Sequence, residues 1–356
     1  MFEQSDLWQK AKEQFGQKLP FVIYNKPDSD KLIGIFQADP KLHIVSDFNE
    51  NGFVFAPFDA KKAVLIPENS GAVMVADFVK SGNNLQQFDE SQNQDESVKN
   101  SYKTLVAKAI DAIKNEQFDK VVLSRKQKIA LSGFNLISAF QKLLNEYPSA
   151  FAYCFFHPET GLWLGAFSEQ LLKMKGILFQ TMAVAGTQSS HKNEVVWGEK
   201  EKDEQQFVTN FIVDSLKDEA DEISVSKPYT LKAGRLMHIK TDISGTLNTD
   251  SGLQEILAIL HPTPAVCGFP KEAAKKFILE NEGYDREYYS GFLGELNKDF
   301  AKETNSTELY VNLRCMKIVG DYAELYVGGG ITKDSIPENE WQETVNKTQT
   351  MRHILD

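Results

Sequence analysis

The sequence predicts an α+β fold with extensive antiparallel β-sheet. Its strand-like segments cluster and follow one another more often than they alternate with helices, and that order favours antiparallel pairing. The 356 residues are 42% hydrophobic and 25% charged, which is ordinary usage for a globular protein with a large core. The sequence shows no internal repeat. Composition alone therefore allows one large domain or two.

Four strand-like segments open the chain, at residues 21–25, 32–37, 52–58 and 63–67. Each is short, rich in β-branched and aromatic residues, and bounded by Asp, Asn, Gly or Pro, as strands are. The nearly all-polar stretch "SGNNLQQFDESQNQDESVKN" (residues 81–100) follows them. This composition indicates a solvated connection or a lid rather than a core element.

The rest of the chain mixes both kinds of element. A helix is predicted at residues 101–117, since its apolar residues recur at helical spacing on one face. Further strands are predicted at residues 120–131, 150–156, 162–167, 309–319 and 323–330. Further helices are predicted at residues 135–147, 201–219, 271–282 and 339–355.

Charge and cysteine content exclude several classes of partner. The formal net charge of −11 disfavours nucleic acid and anionic membranes, which would be repelled beyond local basic patches.

The N-terminus lacks the basic-then-apolar order of a secretory signal, and no segment approaches the roughly 20 apolar residues of a membrane span. Cys154, Cys267 and Cys315 are far apart, so neither a disulfide framework nor a cysteine-type zinc site is indicated. We expect a cytoplasmic protein.

The segment "LHPTPAVCGFPK" (residues 260–271) is unusual for a connection between two elements. Its three prolines fix φ and remove N–H donors, so no regular helix can run through it. Ala265, Val266 and Phe269 are apolar, whereas exposed loops favour polar and glycine-rich composition. The pattern indicates a rigid segment whose shape serves a purpose.

Glutamates on two predicted helices are candidate metal ligands. In "EKEKDEQQFVTNFIVDSL" (residues 199–216), Val208, Ile212 and Leu216 recur every four residues and form a predicted buried stripe. One turn before Val208 the same line carries Glu204, with Glu201 three residues earlier. The alternative is that both acids are exposed and only complement the helix dipole.

The C-terminal segment "SIPENEWQETVNK" (residues 335–347) gives the second set. Ser335 and Glu338 form a predicted capping box. Further along the predicted helix, three residues share one face: Glu340, Glu343 and Lys347. The alternative here is an exposed ion pair of Glu343 with Lys347. Glutamates on two distant helices can nevertheless provide the oxygen ligands of one Mg²⁺, which needs only one or two carboxylates plus substrate oxygens.

Three further features are weaker alone. Lys120 opens a strand, where a lysine is usually solvated, and Glu169 follows "WLGAFS", where it could be a turn residue. The run "YVGGGITK" (residues 326–333) places three glycines at a strand end, which allows a ligand close to the backbone or makes an unusual turn. It lacks the spacing of a P-loop, so nucleotide binding is not indicated.

In order along the chain, these segments resemble a known family. "LHPTPAVCGFP" resembles the LHPTPAVGG-P segment of isochorismate synthases, which are chorismate-utilising enzymes. The other landmarks are "FDKVVLSR", "LGAFSEQLL", "TMAVAGTQ", "EKEKDEQ", "HIKTDISGTL", "YDREYYSGFLG" and the closing block "VNLRCMKI", "LYVGGGI" and "SIPENEWQETVNK". They run from about Lys120 to Lys347, and the first hundred residues carry little of the resemblance.

The resemblance implies a single large α+β domain of layered, largely antiparallel sheets wrapped by helices. Residues 1–100 would be a variable N-terminal part that contributes strands to the same fold. Residues 101–356 would be the chorismate-binding catalytic region.

The resemblance also implies the reaction and the catalytic residues. Isochorismate synthases add water at C2 of chorismate and release the C4 hydroxyl as the double bonds shift. Lys120 matches the general base, which must lose its proton near neutrality. Glu169 matches the general acid, which must stay protonated in an apolar setting.

Further matches concern the metal and the substrate. The resemblance implies Mg²⁺ as cofactor, with Glu204 and Glu343 as ligands and Glu340 and Glu201 close enough to help. Arg314 matches the arginine that grips the enolpyruvyl carboxylate. The remaining substrate-binding positions are Ala185, Gly186, Thr187, His238, Thr241, Gly328, Gly329, Gly330 and Lys347.

The sequence departs from the family pattern at Ser168, Gln188, Gln205 and Cys267, and none of these removes a proposed catalytic residue. Ala185 stands where aminodeoxychorismate synthases carry a nucleophilic lysine, so their covalent route cannot operate here. Anthranilate synthases lack the base lysine and depend on a glutamine amidotransferase, whereas Lys120 is present and no such subunit is expected.

Two alternatives stay open. A salicylate synthase, which forms isochorismate and then eliminates pyruvate, shares Lys120, the acid and both glutamates. A chorismate-binding protein without catalysis is disfavoured because every catalytic position is kept. The sequence does not separate menaquinone from catechol siderophore biosynthesis, since both routes begin with isochorismate.

Overall fold

A computed structural model describes residues 2–79, 95–189, 196–233, 236–248 and 251–355. Most of the predicted polar connection, residues 81–94, lies outside these ranges. The described helices are α1 Gln4–Gly16, α2 Glu96–Lys114, α3 Leu136–Glu146, α4 Glu199–Leu216, α5 Leu253–Leu260, α6 Lys271–Asn281 and α7 Pro337–Leu355.

Strands make up most of the remaining described chain. In the N-terminal half they are β1 Phe21–Asn25, β2 Lys31–Gln37, β3 His43–Ile44, β4 Gly52–Ala56, β5 Val64–Pro67, β6 Gly71–Asp77, β7 Lys120–Ala130, β8 Phe151–His157, β9 Gly161–Phe167 and β10 Gln170–Lys175. The others are β11 Leu178–Ser189, β12 Ala220–Val225, β13 Tyr229–Ala233, β14 Leu236–Leu247, β15 Gly268–Phe269, β16 Phe292–Leu296, β17 Thr307–Val311, β18 Cys315–Val319 and β19 Tyr322–Ile331.

These strands form two large sheets. Within the described ranges, the first sheet has nine strands in the order β15-β7-β19-β18-β9-β8-β1-β2-β6. The second has ten, in the order β12-β14-β11-β10-β17-β16-β4-β5-β3, with β13 paired to β14. Neighbouring strands in both sheets run antiparallel, for example β7 with β19 and β11 with β14. The predicted α+β class with antiparallel sheet is confirmed, and strands from before residue 80 lie in both sheets.

The two sheets pack face to face. Along β1, Val22 and Tyr24 point into an aromatic core that they share with Phe53 and Phe55 of the second sheet. Phe21, one position away, belongs to a separate core under α1 and α3. This two-residue alternation is what a strand buried on both faces requires.

Helices cover the outer faces of both sheets. On the first sheet, α2, α6 and α7 pack against β7 and β19 in one cluster. On the second sheet, α4 and α5 pack against β11 and β14, through Val208, Ile212 and Leu216 of the predicted buried stripe. The molecule is therefore layered as helices, sheet, sheet and helices, which confirms a single domain of layered sheets wrapped by helices.

Two local predictions are wrong. The strand predicted at residues 309–319 is two strands, β17 and β18, which belong to different sheets. The break contains Arg314, whose φ of 46° lies in the left-handed region and cannot continue a strand.

The predicted capping box at Ser335 also does not form. Ser335 Oγ accepts a hydrogen bond from the Thr332 amide, and Glu338 pairs with Lys99 and Lys103 of α2 instead. Helices α1 and α5 were not predicted, although Leu7, Ala11 and Gln14 of α1 are buried at helical spacing.

Membrane insertion through a helix finds no support in the described ranges, where no helix combines the length and the apolar character that a span requires.

Candidate active site

A cavity of about 820 Å³ lies beside β7 and β19 and is closed by α4 and α7. Most of the predicted site residues line it: Lys120, Glu169, Ala185, Gly186, Glu201, Glu204, His238, Arg314, Gly328, Gly329, Gly330, Glu340, Glu343 and Lys347. Thr241 does not line it, and the side chain of Thr187 lies outside the described part of the chain. Residues separated by more than 200 positions in the sequence thus meet at one site.

Lys120 is the first residue of β7 and projects into this cavity. Its side chain is almost fully buried, with 6% of the residue exposed. Nζ donates a hydrogen bond to Glu204 Oε1 over 2.6 Å. The alternative of a solvated surface lysine therefore does not fit the structure.

The segment at residues 260–271 braces the strand that carries Lys120. Gly268 and Phe269 form β15 and pair with Val121 and Lys120, while the Cys267 carbonyl accepts from the Val122 amide at 2.8 Å. Gly268 has φ of 134°, and a Cβ there would lie 2.2 Å from the Lys120 carbonyl oxygen, so only glycine fits.

The same segment also forms part of the cavity wall. Ala265 and Val266 line the cavity. The guanidinium of Arg286 donates to the carbonyls of Val266 and Val122, at 3.0 and 2.6 Å, and so ties the wall to β7. The rigid segment is a brace for the strand as well as a wall for the site.

Glu169 lies where the chain crosses from β9 in the first sheet to β10 in the second. Burial raises the pKa of its carboxyl to about 8, although the positive charge of Lys120 acts in the opposite direction. The group is therefore protonated at neutral pH, as a general acid must be before it gives up its proton.

Arg314 lies at a second crossover, from β17 to β18, directly beside the first. The Arg314 carbonyl accepts from the Ala166 amide at 3.2 Å, and the Glu169 carbonyl accepts from the Val311 amide at 2.9 Å. These two hydrogen bonds join the crossovers, so the acid and the arginine are held at one point by both sheets.

Carboxylates from α4 and α7 approach one another across the cavity. The ammonium of Lys347 lowers the pKa of Glu343, while the negative charge of Glu204 raises it, so Glu204 and Glu343 lie in one electrostatic field. A Cβ on Gly329 would lie 3.6 Å from Glu343 Oε1 and 3.7 Å from Glu340 Oε2. Both carboxylates therefore lie against β19 at van der Waals distance from Gly329.

This donor set suits Mg²⁺ in its chemistry, because Mg²⁺ prefers carboxylate oxygens and keeps other positions for water or substrate. Within the described ranges, no three His, Cys, Asp or Glu side chains are gathered closely enough to hold a metal ion by themselves. A metal here would thus rest on one or two protein carboxylates and on oxygens of the substrate.

Other hydrogen-bonding groups line the same cavity, among them Lys347, which also pairs with Glu343 on α7. Lys347 Nζ donates to the Gly328 carbonyl at 3.1 Å. His238 Nδ1 lies 3.0 Å from the Gly186 carbonyl oxygen, an acceptor that fixes the proton on Nδ1. Burial lowers the pKa of His238 to about 4, so the ring is neutral at pH 7.

Gln205 on α4 and Thr241 on β14 join the helix to the strand. Gln205 Nε2 donates to Thr241 Oγ1 at 2.6 Å and to Thr209 Oγ1 at 2.9 Å. Thr241 therefore anchors the helix that carries Glu201 and Glu204 to β14.

The other departures from the family pattern lie at the edge of the site or away from it. Ser168 Oγ donates to the Ser149 carbonyl, and Gln188 Nε2 donates to the Val196 carbonyl. Cys267 is buried, which raises the pKa of its thiol to about 11 and keeps it uncharged.

Sequence reasoning missed the apolar and aromatic wall of the cavity. Its members are Phe167, Val184, Phe207, Tyr289, Leu313 and Tyr326. In the sequence such residues have the same spacing as core residues, so periodicity cannot separate them. The signal that could have found them was position, because all of them except Phe207 lie within the landmark segments.

Known proteins resemble this chain over most of its length. It is 28% identical to the isochorismate synthase EntC of Escherichia coli (strain K12) over 355 residues, which cover 94% of this chain and 89% of EntC. The structure of MenF, the menaquinone-specific isochorismate synthase of Escherichia coli, superimposes with a TM-score of 0.78 at 22% identity, covering 96% of this chain and 89% of that one.

Anthranilate synthase component I of Streptococcus pneumoniae TIGR4 has a TM-score of 0.70 at 20% identity, with 93% of this chain and 92% of that one covered. These two structural likenesses establish the fold. The chain matches the family of chorismate binding enzymes over residues 68–356. That match begins before residue 101 and includes every residue that lines the cavity, so the chain belongs to the chorismate-binding enzyme family.

Proposed function

We propose that this protein is an isochorismate synthase, an isomerase that converts chorismate to isochorismate. The observation that carries the proposal is the buried carboxyl of Glu169, with a pKa of about 8, in the same cavity as the buried amine of Lys120. A proton donor and a proton acceptor are the two groups that the exchange of hydroxyl positions needs.

In the proposed reaction, Lys120 takes a proton from a water molecule as its oxygen bonds to C2 of the ring. The double bonds shift, and the bond from C4 to its hydroxyl oxygen breaks. Glu169 gives its proton to that oxygen, which leaves as water. One water enters and one leaves, and exchange with solvent returns the proton gained by Lys120 and replaces the one lost by Glu169. The net reaction is an isomerisation that consumes no oxidant and no ammonia.

The hydrogen bond from Lys120 to Glu204 is compatible with the proposed role of Lys120 as the base. As the base, Lys120 would accept a proton from water through the lone pair of its amine and could still donate an N–H to Glu204. Glu204 is also one of the proposed metal ligands, and its two carboxylate oxygens allow it to contact Lys120 and Mg²⁺ together.

Mg²⁺ is the proposed cofactor, held by Glu204 and Glu343 with help from Glu201 and Glu340. When bound, it would supply a positive charge for the ring carboxylate of chorismate. Arg314 would bind the enolpyruvyl carboxylate, a task that suits a planar, bidentate donor. Lys347 and the backbone of Gly328, Gly329 and Gly330 would bind the remaining carboxylate oxygens, and the neutral His238 would lie near the reacting carbons.

The apolar wall supports these assignments. Phe167, Val184 and Leu313 would exclude bulk water from the ring, which strengthens every charge interaction inside the cavity. A doubly negative substrate would thus find local cationic groups in an acidic protein, so attraction is local and not set by the net charge of −11.

The proposal extends to the cellular role. Isochorismate would feed menaquinone or siderophore biosynthesis, in the cytoplasm. Because water and not ammonia is the nucleophile, no glutamine amidotransferase subunit is required.

The test is to incubate the protein with chorismate and Mg²⁺ and to separate the products by chromatography. Isochorismate as the main product supports the proposal. Salicylate together with pyruvate would make the protein a salicylate synthase instead, and unchanged chorismate would refute catalysis.

A further inference from the structure

A buried arginine lies between β7 and α7, on the side of the strand that faces away from the cavity. Arg125 is 6% exposed. Its guanidinium carbon lies 4.2 Å from the centre of the Trp341 ring, and Nε donates to Thr344 Oγ1 at 2.8 Å. Thr344 Oγ1 in turn donates to the Trp341 carbonyl at 2.7 Å. The arginine thus touches two residues of α7 that are themselves hydrogen-bonded.

This cation has no compensating anion among the described residues. Nη2 is buried without a hydrogen-bond partner, and burial lowers the pKa of Arg125 to about 10. An unpaired buried charge destabilises a fold. A position that served packing alone would be more stable with an apolar side chain, so this arginine has another role.

The position of Arg125 on β7 suggests that role. Val121 and Leu123 pack in the same cluster as Trp341, whereas Lys120 and Val122 line the cavity. By this alternation Arg125 lies on the helix side of the strand. One strand therefore presents Lys120 to the cavity and the guanidinium to α7.

The contacts on α7 follow directly after the residues of the site. Trp341 comes after Glu340, and Thr344 comes after Glu343. The carboxylates point to the cavity while the next residues hold the arginine. Any rotation or slide of α7 on β7 would break the stack on Trp341 and would move both carboxylates.

We propose that Arg125 is a positioning residue that fixes the orientation of α7, and with it the carboxylates of Glu340 and Glu343, relative to the strand that carries Lys120. Its planar group is suited to this because it stacks and donates at once, which lysine cannot do. The inference rests on the proposed function, in which those carboxylates bind Mg²⁺.

The test compares Arg125→Met with the wild type. The variant should need about tenfold more Mg²⁺ for half-maximal activity, since partners that orient metal ligands typically contribute 10- to 100-fold in affinity. At saturating Mg²⁺, kcat should stay within about threefold of the wild type, and the pH dependence set by Glu169 should not move. Arg125→Lys should recover little, because the charge returns without the planar stack.

A second measurement does not depend on activity. Amide hydrogen exchange of residues 337–348 should rise in Arg125→Met, while that of β1 and β8 stays as in the wild type. If the wild type forms no isochorismate, the proposed function fails, and this exchange experiment still tests the arginine.

Controls separate positioning from general stability. Lys128→Met removes a largely exposed cation from the same strand and should change neither readout. Thr344→Val keeps the shape of the side chain but removes the acceptor, and it tests the proposal if Arg125→Met does not fold. Equal Mg²⁺ requirement and equal exchange in Arg125→Met and Lys128→Met would overturn the proposal, as would a fall in kcat that saturating Mg²⁺ does not restore.

Discussion

Replacing Glu169 by Gln tests the central feature of the site, a carboxyl that stays protonated at neutral pH. Gln has nearly the shape of a protonated Glu but cannot ionise or give up a proton. The variant should therefore fold, should bind chorismate, and should lose the general acid. Removal of such a group typically lowers the rate by about 10² to 10⁴.

The same change should make the protein more stable, by an amount that depends on pH. The pKa of Glu169 is raised from 4.5 to about 8 by burial. Between these values the folded state holds a proton that the unfolded state has lost, so the stability of the wild type falls as pH rises. One pKa unit corresponds to about 1.36 kcal/mol, which gives about 5 kcal/mol as the order of magnitude of the full loss.

Urea-induced unfolding at about pH 5 and about pH 8.5 measures this effect. The two proteins should have similar free energies of unfolding at the lower pH. There Glu169 is protonated in the folded state, and its ionisation in the unfolded state has only begun to lower the stability of the wild type. At the higher pH the Gln variant should be more stable by several kcal/mol. The kcat of the wild type should also fall above about pH 8, as the acid loses its proton.

A stability difference that is the same at both pH values would refute this reasoning, because it would mean that Glu169 ionises alike in the folded and unfolded chain. A variant that keeps most of its kcat would leave the buried carboxyl intact as a structural finding but would remove it from the mechanism.

Three further changes test other parts of the site. Lys120→Ala should lower kcat by about 10² to 10⁴ with a nearly unchanged Kd for chorismate. If the variant keeps most of its kcat, Lys120 is not the general base. Glu343→Gln should weaken the binding of Mg²⁺ and chorismate without unfolding the protein, and excess chelator should stop turnover of the wild type; full activity in chelator would contradict the cofactor. Gly268→Ala should lower the free energy of unfolding by about 2 to 3 kcal/mol, because its Cβ would meet the Lys120 carbonyl. Gly176→Ala is the comparison, since that glycine has φ of 60° and nothing within 4 Å of its Cβ, so the change adds left-handed strain without a clash and should cost less; equal losses in the two variants would contradict the predicted clash.

The sequence was most informative where residue type itself carries chemistry. Lys120, Glu169 and Glu343 could be singled out because a charged side chain within an otherwise apolar or ordered segment stands out, and a family resemblance then suggested a role for each. The structure brings them to one cavity, although their roles remain predictions. The apolar wall could not be found in this way, because Val184 or Leu313 facing a cavity looks the same in sequence as a residue facing the core.

The local errors have a common cause in long-range contacts. Apolar residues continue through the break between β17 and β18, so nothing in that pattern shows that Arg314 turns the chain into the other sheet. Ser335 and Glu338 have the spacing of a capping box, but two lysines of α2 take the carboxylate. In the second case the local preference is overridden by residues distant in sequence, and in the first the change of sheet is visible only in the folded chain.

The paired crossovers at Glu169 and Arg314 make the site mechanically dependent on the fit between the two sheets. The acid and the arginine each lie on a connection whose two ends belong to different sheets. The spacing between those sheets is set by aromatic contacts, such as Phe151 with Tyr310 and Phe55 with Phe155, each with ring centres 4.5 Å apart. Core substitutions that thin or thicken this layer would shift Glu169 and Arg314 together, so the choice of residues in the hydrophobic interior is constrained by the geometry of the cavity as well as by folding.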